Sequence, residues 1–78
     1  MSAPKPSAAQ IAALRLAARG SLMDCGPKWC ASLGGVASAR SVRVCLRRGW
    51  LAPFRRMWSE YAEITPAGRA VLEAHDAR

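Results

Sequence analysis

Seventy-eight residues suffice for one small domain with a single modest core, and twelve basic against five acidic residues give a formal net charge of +7. The longest apolar stretch, Ile11 to Ala18, is interrupted by Arg15 and falls well short of the ~18 residues that would cross a bilayer. A membrane span is therefore excluded, and a chain too short to form a cleft between two domains is not expected to be an enzyme. Met1–Pro6 carries one lysine and no apolar core, unlike a secretory signal, so a cytoplasmic location is expected. Cys25, Cys30 and Cys45 are then reduced thiols, and their spacing, with His75 as the one histidine, does not suit zinc. No metal or cofactor is expected.

Residues 1–6, with two prolines, read as a flexible lead-in to a single domain over residues 7–78. Ser7 and Gln10 have capping-box spacing, and Ile11, Leu14 and Ala18 mark one face of a helix that stops at Gly20. Leu16 lies off that stripe, and either widens the buried face or meets a partner. A connection with a short extended piece at Leu22 and Met23 follows. Pro27 then suits the first turn of a short helix, Pro27–Leu33, ending at Gly34-Gly35, with Trp29 and Leu33 on one face.

Ser38–Leu51 is the most informative stretch. At about 100° per residue, Arg40, Arg43 and Arg47 fall within roughly 60° of one another, while Val42, Cys45 and Leu46 take the opposite side. Ser38 is the expected N-cap and Gly49 the left-handed stop. Residues 38–58 contain six arginines, namely 40, 43, 47, 48, 55 and 56, and no acid. Concentrated positive charge of this kind is the footprint of a polyanion-binding surface. Trp50–Arg55 and Glu60–Ile64 read as two strands of a hairpin, with Pro53 confining the first to an edge and Arg56–Ser59 as the turn. Thr65 and Pro66 open a last helix as N-cap and first helical residue.

Three segments carry a resemblance to a known family. Leu33–Ser38 looks like the turn before a recognition helix, Ser41–Leu51 like that helix running into a wing strand, and Ile64–Leu72, with its Thr-Pro-x-Gly-Arg core, like the close of the wing. Together they resemble the MarR-like winged helix-turn-helix domains of small bacterial and phage regulators. The resemblance implies a mainly α fold with a small β-hairpin: helix, short helix, recognition helix, two-stranded wing and C-terminal helix. It also implies sequence-specific binding of double-stranded DNA, with a role in transcription regulation. Arg40 and Arg43 would read base edges, and Arg47 and Arg48, with Ser38 and Ser41 at the helix N-terminus, would meet phosphate. Arg55, Arg56 and Trp58 would be the wing's contribution. The chain lacks the long additional helices with which larger MarR-like proteins dimerise, so monomer and homodimer both stay open. A second reading makes the chain a phage-encoded inhibitor, such as an anti-CRISPR protein, whose Trp58, Val44 and Leu16 dock on a host protein.

Overall fold

The computed structural model describes residues 5–77, so most of the expected lead-in over residues 1–6, and Arg78, lie outside the described residues. The elements are α1 (Ala8–Arg19), β1 (Leu22–Asp24), β2 (Lys28–Ala31), β3 (Val36–Ser38), α2 (Ala39–Arg47), β4 (Leu51–Arg56), β5 (Ser59–Ile64) and α3 (Pro66–Asp76). The strands form one antiparallel sheet in the order β3-β2-β1-β5-β4. The helices pack on one of its faces.

This architecture corrects the expected fold. A five-stranded α/β sandwich of sheet and helices replaces a mainly α winged helix-turn-helix with a two-stranded wing. The expected short helix over Pro27–Leu33 does not form, so no helix stands before α2 across a tight turn. Lys28–Ser38 is instead a hairpin, registered Lys28↔Ser38, Trp29↔Ala37 and Cys30↔Val36. Two adjacent glycines make this possible. Gly34 and Gly35 have φ of 100° and 99°, a region that side chains disfavour, and the Ala31 amide donates to the Gly35 carbonyl at 2.9 Å. Strand alternation also buries Trp29 opposite Ala37 on the helix side, a pairing that a helix of about two turns over Pro27–Leu33 would not make. Pro27 starts no helix; its carbonyl accepts from the Ala39 amide at 3.2 Å, at the first turn of α2.

The helix ends follow local chemistry. The Ser7 and Gln10 side chains exchange hydrogen bonds with each other's backbone amides at 3.2 and 3.1 Å, forming the expected capping box. Helix α2 ends as the sequence indicates: Gly49 has φ 78°, its amide donates to Leu46 O at 3.1 Å, and the Trp50 amide donates to Cys45 O at 2.9 Å. That pair of bonds is a Schellman motif. Leu14, Ala13 and Ala17 of α1, Val42 and Cys45 of α2, and Leu22, Trp29, Ala37, Leu51 and Ala62 of the sheet form the core. Val71 and Leu72 of α3 close it from the side, while Ala70 and Ala74 are exposed.

The β4–β5 hairpin matches expectation and tightens it, with Arg56↔Ser59 leaving Met57 and Trp58 as a two-residue turn. Met57 has φ 57°, a left-handed conformation in which a β-carbon is disfavoured by about 1–2 kcal/mol. Met57→Gly is expected to raise stability by about 0.5–1 kcal/mol, read as a shift in the urea midpoint at unchanged slope. No shift would mean that the side chain relaxes the turn by other means.

Candidate nucleic-acid interface

Helix α2 places the arginines by its packing. Val42 and Cys45 are fully buried, so Arg40, Arg43 and Arg47 project from the opposite side, and all three are exposed. None of them takes part in an ion pair among the described residues. The other predicted cations are held differently. Arg48 lies 5.3 Å from the Trp50 ring centroid, a cation–π contact that ties it to the start of β4. Arg55 donates to its cross-strand partner Glu60 at 2.8 Å, which offsets its charge, whereas Arg56 is exposed and makes no ion pair among the described residues.

The serines separate as well. Ser38 caps α2, its Oγ accepting from the Ser41 amide at 3.2 Å and donating to Ser41 Oγ at 2.9 Å. Ser41 is only 8% exposed and is therefore part of the cap rather than a surface contact. Val44, beside the arginines, is half-buried.

Sequence spacing did not show what lies next to Arg43. A recess of about 210 Å³ is lined by Asp24, Gly26, Trp29, Ala39, Arg43 and Leu46, so the β1–β2 turn brings a carboxylate to the edge of the arginine face. Asp24 is fixed there because its Oδ1 accepts from the Gly26 amide at 2.9 Å. The stretch that is free of acid in sequence is thus flanked by one in space. An Asp two residues before Gly and Pro was the available turn signal.

The hairpin end overhangs the helical layer. Pro53, Arg55 and Glu60 point to the helix side by strand alternation yet are exposed, and beyond them Met57 is 82% and Trp58 93% exposed. Behind the tip, Phe54 and Tyr61 stack with centroids 5.2 Å apart and planes 14° off parallel, which stiffens the arm.

Two of the three thiols are held protonated. Burial pushes Cys45 from the ordinary 9.0 up to about 11, with nearby Arg48 opposing, and Cys30 is raised chiefly because its thiol donates to the Cys25 sulfur and so holds its proton. Because the folded state holds the Cys45 proton more tightly than the unfolded chain, its contribution is complete below pH 9 and declines as pH rises toward 11. Urea midpoints are expected to be flat from about pH 7 to 8.5 and to fall above 9, with Cys45→Ala flattening the fall. A fall unchanged in that variant would assign it to other groups.

Compared with family models, with curated proteins and with solved structures, the chain gives no match. The surface therefore stands on its own chemistry.

Proposed function

We propose that this chain binds double-stranded DNA through the exposed arginine face of α2, with the tip of the β4–β5 hairpin as a second contact. The observation that carries the reading is the trio Arg40, Arg43 and Arg47, exposed on one side of a rigidly capped helix and without ion-pair partners among the described residues. Guanidinium groups so placed can bond bidentately to phosphate or to guanine O6 and N7. Trp58, at the exposed hairpin tip, adds an apolar surface that can enter a groove. A role in transcription regulation follows if the binding is sequence-specific.

Fluorescence anisotropy with a labelled duplex tests the reading. Three phosphate contacts predict a dissociation constant that rises at least about 40-fold between 50 and 200 mM salt. The same titration followed by tryptophan emission reports Trp58, since Trp29 is buried and Trp50 half-buried; quenching lost in Trp58→Phe places the tip on DNA. No binding at low salt would overturn the proposal. The 93% exposure of Trp58 favours a second reading, docking on a host protein, and a stoichiometric protein partner captured after nuclease treatment would support that one instead.

A further inference from the structure

The sheet has two faces, and the helices cover only one. On the other, the strand registers align one side chain from every strand: Val36↔Cys30, Cys30↔Met23, Met23↔Tyr61 and Tyr61↔Phe54. None of these five belongs to the core or packs against it. Val36 is 57% and Met23 36% exposed, and Tyr61 and Phe54 are sheltered chiefly by each other. At about 4.8 Å between strands, the row is an apolar band roughly 19 Å long on an open surface.

Its flanks differ in charge. One register step to one side of the row, on the same face, stand Lys28 on β2 and Arg56 on β4; one step to the other side stands Glu63 on β5, beside Ala52. With so few charges, one of them acidic, the face is far less basic than the arginine side of α2, which points away from the sheet. It suits a protein rather than a polyanion. It is also complementary to itself. A two-fold axis along the row lays the cationic flank of one copy over the acidic flank of the next, bringing Arg56 toward Glu63 twice, while the two apolar bands meet across the sheets.

We propose that this uncovered face is the docking surface for a second copy of the chain, forming a reversible face-to-face dimer with both α2 arginine faces turned outward. The inference does not depend on DNA being the ligand of α2. A contact built on a single row of five side chains belongs among weak, concentration-dependent interfaces rather than permanent ones.

Sedimentation equilibrium of the whole chain, under reducing conditions so that Cys25 and Cys30 cannot cross-link copies, reads the result directly. From about 5 to 500 µM the mass is expected to climb from 8.4 kDa toward twice that value. Met23→Lys, at the centre of the row on the open face, should hold it at the monomer while circular dichroism shows an intact fold. Glu63→Arg should weaken association, and adding Arg56→Glu to it should restore association, a rescue that no folding defect reproduces. A monomer at every concentration overturns the proposal, as does a dimer indifferent to Met23→Lys. So does a monomer whose binding of oligothymidine depends on Tyr61, which would give the face to single-stranded nucleic acid.

Discussion

Gly68→Ala is expected to lower the melting temperature by roughly 10–25 °C, although helix propensity alone favours alanine over glycine by about 1 kcal/mol. The reversal comes from packing. Gly68 is buried in the first turn of α3, where a β-carbon would overlap the Trp50 carbonyl oxygen and lie 2.9 Å from Cγ1 of Ile64. That carbonyl accepts from the Thr65 amide at 3.0 Å, while Thr65 Oγ1 donates to Gly49 O at 2.7 Å and accepts from the Gly68 amide at 3.0 Å. These bonds join the end of α2 to the start of α3, so the helix cannot retreat from the β-carbon without breaking them. Lost hydrogen bonds and displaced packing together are worth about 3 kcal/mol net, a large part of the few kcal/mol that hold a domain of this size. Ala70→Gly, on the exposed side of the same helix, should cost only about 1 kcal/mol. Circular dichroism melting compares the two, and a Gly68→Ala variant at or above the wild-type midpoint would show that α3 does not seat against Trp50 in this way.

The second large effect concerns binding. Replacing Arg40, Arg43 and Arg47 together with alanine is expected to weaken duplex DNA affinity at least about 100-fold and to reduce the salt slope by nearly 3. All three side chains are exposed and free of ion pairs among the described residues, so their loss should leave the melting temperature within a few degrees of wild type. Arg19→Ala, exposed on α1, serves as the control and should change affinity little. An unchanged slope in the triple variant would remove α2 from the interface.

The helices were legible because their signals are local. The capping bonds of Ser7 with Gln10, of Ser38 with Ser41 and of Thr65 with Gly68 each span three residues, as does the bond from the Gly49 amide to Leu46, so spacing suffices to find them. The two faces of α2 were legible for the same reason. The strand over Lys28–Ala31 was not legible because Pro27 followed by Trp29 and Leu33 fits a helix as well as a strand over so short a span, and Leu33 proves to be an exposed turn residue. What settles the hairpin is β1, and β1 is itself held by β5, some forty residues further along the chain.

Sequence by itself determined the capped helices, the hairpin from Leu51 to Ile64 and the segregation of arginine on one side of α2, since these follow from short-range hydrogen bonding and helical periodicity. Tertiary structure alone decided that the chain builds a five-stranded sheet, that Asp24 stands beside Arg43, and that Val36, Cys30, Met23, Tyr61 and Phe54 share an open face. Strand pairing joins residues distant in the chain, and in a strand of three or four residues the alternation of side chains is too brief to announce its partner.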